Sequence, residues 1–178
     1  HDNQLSGSIP SSIGNLVKLN LLELDNNRLS GSIPSSIGNL VKLYYLNFSH
    51  NYFTFKGMEL IAQKFPFAIY DHQKNIPIHQ TGNTLSVSAG GTLSNNTYQW
   101  YKNNSLYKTV VGDSTFTPDG EGVYFVKVNN SVVTDLQLVS DNITIVTASS
   151  SAPVNTATKN ITSTSAKLTW SASQGAIK

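Results

Sequence analysis

Leu22 and Leu24 flank Glu23, an alternation that predicts a short strand with both leucines facing a core and Glu23 facing out. Leu46 and Phe48 flank Asn47 in the same way, at a spacing of 46 − 22 = 24 residues. The period reaches beyond the strand, because the stretch LSGSIPSSIGNLVKL stands unchanged at Leu5–Leu19 and at Leu29–Leu43. A period in the twenties predicts a solenoid, in which each turn covers the apolar side of the next.

Aligned on their asparagines, LNLLELDNNRL (Leu19–Leu29) and LYYLNFSHNYF (Leu43–Phe53) both follow L-x-x-L-x-L-x-x-N-x-L, with aromatic residues in place of some leucines. Asn27 and Asn51 fall where the chain leaves the strand. A buried amide there bonds the backbone of adjacent turns and forms a ladder. The segment SGSIPSSIGNL supplies the return path. Gly7 and Gly31 stand at tight bends, Pro10 and Pro34 fix φ, and Ile9, Ile13, Leu16 and their counterparts fill the core. With Gly-x-Ile-Pro present in both copies, the repeat resembles the plant-type leucine-rich-repeat subfamily. That resemblance implies a parallel sheet on a concave side. It also implies a class of proteins, receptor ectodomains and wall-enzyme inhibitors among them, that hold proteins, peptides or glycans there.

After Phe53 the pattern changes. FKGMELIAQKF spaces Met58, Leu60, Ile61 and Phe65 as one apolar helical face, and Pro66 stops the helix. A terminal repeat exposes an apolar edge, so Lys56–Phe65 is expected to be its C-terminal cap. At the other end, His1–Leu5 aligns with Asp25–Leu29 and so starts inside a repeat. Since an array needs about three repeats for stability, the chain is expected to be a fragment with further repeats upstream.

From about Ile76 the texture is all-β, with turn signals at short intervals. Strands are expected at Asn83–Ala89, Thr97–Asn103, Leu106–Val111, Ser114–Pro118, Gly122–Asn130 and Val132–Val139. Trp100 in QWYK and Tyr124 in GEGVYFV carry a resemblance to an immunoglobulin-like domain, with a core tryptophan and a corner tyrosine. Where that family's disulfide cysteines would stand, this chain has Val126 and, near the first position, Val87, so the resemblance extends to bacterial Ig-like domains rather than antibody-type ones. Beyond the Ser-rich TASSSAP, the stretch Ala152–Ser173 resembles the opening of a fibronectin type III domain, with Pro153 leading and Trp170 on a second strand. Two strands do not enclose a core, so that part is expected to be incompletely packed.

The expected fold is therefore multi-domain. A leucine-rich-repeat solenoid with a parallel sheet and a C-terminal helical cap occupies 1–67, and a linker 68–78. An all-β Ig-like sandwich follows at 79–146, a hinge at 147–153 and truncated fibronectin type III strands at 154–178.

Composition changes the picture in several ways. Charged residues make up 12% of the chain, about half the usual share of roughly 25%; Asn, Ser and Thr supply the polarity, as in secreted proteins. The net charge of +2 includes no Lys/Arg cluster, which argues against a nucleic-acid partner. No run of 18 apolar residues is present, so no membrane span is expected. The absence of cysteine points to a bacterial exported protein rather than a small eukaryotic disulfide module. Its signal peptide is expected outside this stretch. N-x-[ST] triplets occur at Asn47, Asn95, Asn103, Asn129, Asn142 and Asn160, as a chain this rich in those letters produces by chance.

No catalytic residue, metal site or cofactor is expected. His1, His50, His72 and His79 are scattered, without H-E-x-x-H spacing or a cysteine to complete a zinc set. GDST at Gly112–Thr115 sits where a turn is expected, and an Asp-Gly turn explains Asp119 in PDGEG without calcium. What remains is recognition on outward strand positions, which stack at the repeat period. Leu21 lies above Tyr45, Glu23 above Asn47, Asp25 above Ser49 and Asn26 above His50, with His1 and Asp2 extending the last two rows. Glu23, Asp25, Asn26, Tyr45, Asn47, Ser49 and His50 are the expected ligand-binding residues, and Asn27, Asn51, Trp100, Tyr124 and Trp170 the structural ones. The expected function is a non-enzymatic extracellular or cell-surface recognition or adhesion module for a protein or glycan, with the β-sandwiches as spacers. The alternatives are a non-catalytic appendage of a larger secreted hydrolase and a plant-type receptor ectodomain.

Overall fold

The computed structural model describes residues 3–146. His1, Asp2, the expected hinge at 147–153 and the expected fibronectin type III strands at 154–178, with Trp170, lie outside the described residues.

The first part consists of stacked turns. Its strands are β1 (Ser6–Gly7), β2 (Leu21–Glu23), β3 (Arg28–Gly31), β4 (Tyr45–Asn47) and β5 (Tyr52–Phe53). β2 and β4 pair in parallel with Leu21 opposite Tyr45 and Glu23 opposite Asn47. A second parallel sheet runs β1-β3-β5 on the return side. The repeated SSIGN forms a 3-10 helix in each turn, Ser11–Asn15 and Ser35–Asn39, each preceded by a proline with φ near −70°. Gly7 and Gly31 take φ of 84° and 83°, the left-handed conformation that admits glycine without steric cost. Leu22, Leu29, Ile33, Ile37, Leu46 and Phe48 fill the space between the sheets. Leu16, expected in the core, is half exposed at 52%, whereas its counterpart Leu40 is at 0%. Leu40 has a turn on each side of it and Leu16 on one.

The helix α1 (Met58–Lys64) buries Met58 and Ile61. It was expected to close the stack, and instead it replaces the 3-10 helix of a further turn, packing on Ser35–Asn39. The chain then continues through 68–78, expected as a linker, where Ile69 bridges to Asn47 in parallel. Ile69 N–H donates to the Leu46 carbonyl at 2.8 Å, and Phe48 N–H donates to the Ile69 carbonyl at 2.7 Å. The offset here is 69 − 47 = 22 residues, two fewer than before.

The second part holds β6 (Ile78–Thr81), β7 (Thr84–Val87), β8 (Asn96–Lys102), β9 (Ser105–Val111), β10 (Thr115–Phe116), β11 (Gly122–Asn130), β12 (Gln137–Val139) and β13 (Ile143–Ile145). One antiparallel sheet runs β10-β7-β6; the other runs β12-β11-β8-β9, with β13 also beside β11. Along β11, Tyr124, Val126 and Val128 are buried and alternate with residues that reach solvent, as the period of two requires. Trp100 of β8 stacks on Phe116 of β10 at 4.9 Å, joining the two sheets. Val87 and Val126 are both buried, and the Tyr124 hydroxyl donates to the Gly120 carbonyl at 2.8 Å. The strand expected at Val132–Val139 begins only at Gln137. Asn130 Oδ1 accepts from Val132 N and Val133 N at 2.9 and 3.0 Å and so turns the chain there.

The two parts meet at several separate points. Phe55 N–H donates to the Ala89 carbonyl at 2.8 Å, and Ile76 N–H to that of Val139 at 2.9 Å. Gly90 lies so close to Lys56 and Thr54 that an added Cβ would come within 2.8 Å of both. Glu59 at the start of α1 reaches across. Its carboxylate accepts from Thr92 N at 2.9 Å, Thr92 Oγ1 at 2.7 Å, Asn95 Nδ2 at 3.0 Å and Asn130 Nδ2 at 2.8 Å. Burial would raise its pKa, but these bonds outweigh it and hold the carboxyl at about 2.

Candidate functional site

The outward side of β2 and β4 is set by the period-two alternation. Leu22 and Leu46 are buried, so their neighbours Leu21, Glu23, Tyr45 and Asn47 point the other way. Of the expected residues, Glu23, Tyr45 and Asn47 are half-buried and share this face, with Asp25 at its rim. Asn47 is braced within it, since its Oδ1 accepts from Ser49 N at 3.0 Å and its Nδ2 lies 3.5 Å from the Tyr45 hydroxyl. Ser49, expected as a ligand contact, is only 6% exposed and is a core-side residue of the turn. The chain rolls inward there towards the ladder amide.

Asn26, His50 and His72 occupy one row at the rim, each with left-handed φ, 53°, 55° and 52°. That conformation swings the chain off the strand and presents the side chain to solvent. The rings of His50 and His72 stack at 5.0 Å and 9°. Asp71 Oδ2 lies 2.7 Å from His72 Nδ1, and Asn26 Nδ2 donates to Asp25 Oδ2 at 2.8 Å. Tyr52, Lys74 and Asp141 line the same shallow cleft as the histidine pair.

Behind the face runs the amide ladder. Asn27 Oδ1 accepts from Leu5 N at 3.0 Å and Asn51 Oδ1 from Leu29 N at 2.9 Å. Asn51 Nδ2 donates to the carbonyls of Leu24, Phe48 and Ser49 at 2.8 to 3.1 Å. The amide of Gln73 repeats the arrangement in the next turn, accepting from Phe53 N at 3.0 Å and donating to Phe48, Tyr70 and Asp71. Gln73, Asp71, His72, Phe67 and Ile69 were not among the expected residues. The signal for them lies in Ser49-His50-Asn51 and Asp71-His72-Gln73, a shared histidine followed by an amide.

Elsewhere the polar clusters hold loops. Asp119 accepts from Lys102 Nζ at 2.9 Å and from the Tyr107 hydroxyl, and lies 3.4 Å from the Tyr124 hydroxyl. The bonds from Tyr107 and Lys102 hold its carboxyl at about 2, while the bonds of Lys102 to Asp119 and to Tyr124 raise the Lys102 ammonium. Asp113 Oδ1 accepts from Thr115 N and Oγ1 at 2.9 and 2.7 Å, so Ser114 sits in a side-chain-capped turn. Among the described residues no helix is long and apolar enough to cross a membrane.

A comparison with curated proteins finds no match. The Leucine Rich Repeat family model matches residues 18–40, which span β2, the ladder residue Asn27, β3 and the second 3-10 helix, a repeat whose general use is protein binding.

Proposed function

We propose that this chain is a non-enzymatic recognition module of an exported surface protein. In this reading the stacked turns form a leucine-rich-repeat solenoid that holds a protein or glycan on the β2–β4 face, and the second part is an Ig-like spacer. The observation that carries the reading is the division of labour across β2 and β4. The inward side chains make the core, whereas the outward ones combine Tyr45 and Leu21 with Glu23 and Asn47 on a rigid backbone. Aromatic area beside hydrogen-bonding groups is the composition of a binding surface. The low charge and absence of cysteine support export.

The test is a screen of the chain against protein and glycan arrays, followed by Glu23→Ala, Tyr45→Ala and Asn47→Ala in one variant. Loss of binding with an unchanged thermal melt supports the reading. Binding that survives intact places the ligand elsewhere.

A further inference from the structure

We infer that the cleft between the last of the stacked turns and the second part is a further binding site, separate from the β2–β4 face, and that its ligand is a neutral saccharide. The cleft has a volume of about 510 Å³, within the roughly 300 to 1,000 Å³ of small-ligand sites. His50, Tyr52, His72, Lys74, Asn75 and Asp141 line it. Its frame is fixed by backbone bonds. Lys74 N–H donates to the Asn51 carbonyl at 2.8 Å and Ile76 N–H to that of Val139 at 2.9 Å, so the segment 74–76 is tied to the turns at one end and to the second part at the other. Asp141 N–H donates to the Ile76 carbonyl at 2.9 Å and so holds Asp141 against the same segment. A site framed in this way has little ordering left to do when a ligand arrives.

The groups left over in the cleft decide the ligand class. Asp71 engages His72, the two imidazoles stack on each other, and the amide of Gln73 is taken up by the ladder. That leaves the Tyr52 hydroxyl, the Lys74 ammonium, the Asn75 amide and the Asp141 carboxylate, none of which has a side-chain partner among the described residues. Lys74 only donates, Asp141 only accepts, and Tyr52 and Asn75 do both. An ion of either sign gains at one of the two charges and loses at the other. A pyranose answers all four groups, because each hydroxyl donates and accepts without carrying charge. A carboxylate that accepts from neighbouring hydroxyls makes strong, charge-assisted bonds. Tyr52 is 46% exposed and pairs with no other ring among the described residues, which leaves ring area for the apolar C–H side of a sugar.

The experiment titrates the whole chain, followed by proton NMR, with glucose, galactose, mannose, N-acetylglucosamine, cellobiose and lactose. Glycine and inorganic phosphate serve as zwitterionic and anionic probes. At least one sugar should bind in the millimolar range or tighter, shifting the ring-proton signals of His50 and His72 and leaving those of His79, on β6, in place. Its affinity should be the same within about twofold at about 50 mM and about 300 mM salt, since a neutral ligand is not screened. Asp141→Asn and Tyr52→Ala should each weaken binding roughly tenfold with an unchanged thermal melt. The histidine signals are read on the unaltered chain and so do not depend on the variants folding. Binding of glycine or phosphate in place of every sugar overturns the saccharide class. Sugar binding that moves His79 and not the pair, or that is indifferent to both substitutions, rules out the cleft as the site. Absence of binding by every probe overturns the inference as a whole. The β2–β4 face stands or falls separately, on the variant of Glu23, Tyr45 and Asn47.

Discussion

Gln73 accepts the backbone N–H of Phe53 at 3.0 Å, as Asn51 accepts that of Leu29 at 2.9 Å. A longer amide thus fills the ladder position in a turn that has lost two residues. Gln73→Ala strands the Phe53 N–H and removes a donor from three carbonyls. It should cost about 1 to 3 kcal/mol in a urea titration. Gln73→Leu keeps the volume and should cost a similar amount; a loss below about 0.5 kcal/mol for both would show that the amide does not hold this turn.

Glu59 should make the molecule acid-sensitive. Its pKa falls from 4.5 to about 2 on folding, so its stabilisation is complete above pH 4.5 and is lost as pH drops towards 2. Allowing for solvent screening of a partly exposed group, the contribution is about 1 to 2 kcal/mol. The urea midpoints of the unaltered chain and Glu59→Gln should differ at pH 6 and converge by about pH 2.5. A gap that stays constant across that range would assign the effect to packing instead of charge.

Two glycines separate backbone conformation from close approach. Gly57 has φ of 81°, and a Cβ there would lie 2.2 Å from the Ile33 carbonyl oxygen; Gly82 has φ of 58° and open space around it. Gly82→Ala should cost about 1 kcal/mol, the left-handed penalty alone. Gly57→Ala should cost more than about 3 kcal/mol or prevent folding. Equal thermal shifts for the two would mean that the chain relaxes around Gly57.

Ser49 provides a negative control for the strand face. Because it is 6% exposed, Ser49→Ala should leave any ligand's affinity unchanged within about twofold. Tyr45→Ala on the same strand should lower it. Loss of affinity in both would show that the ligand reads the shape of the turn and not its outward side chains.

The repeat was legible because packing against identical neighbours demands identical letters, and Asn27 and Asn51 stood out by their place in that pattern. The next turn was hidden by the same logic. Its return path is a true helix, its period is 22, and Ala68, Tyr70 and Gln73 stand where Leu, Leu and Asn were expected. Once one side of a turn faces a different kind of neighbour, the letters are released from the repeat. In the second part, the long alternation of β11 marked its strand, but β6 carries only Ile-His-Gln-Thr and gives no apolar period. The outward residues of the strand face were legible only in part. Exposure follows from alternation on the strand, which gave Tyr45 and Asn47, whereas Ser49 lies beyond it where the chain leaves the regular geometry.

The bonds at Phe55, Glu59 and Ile76 reach the second part at separate points of its surface. Under mechanical load they act in parallel, so a pull transmitted through the chain is divided among them and does not fall on one flexible joint.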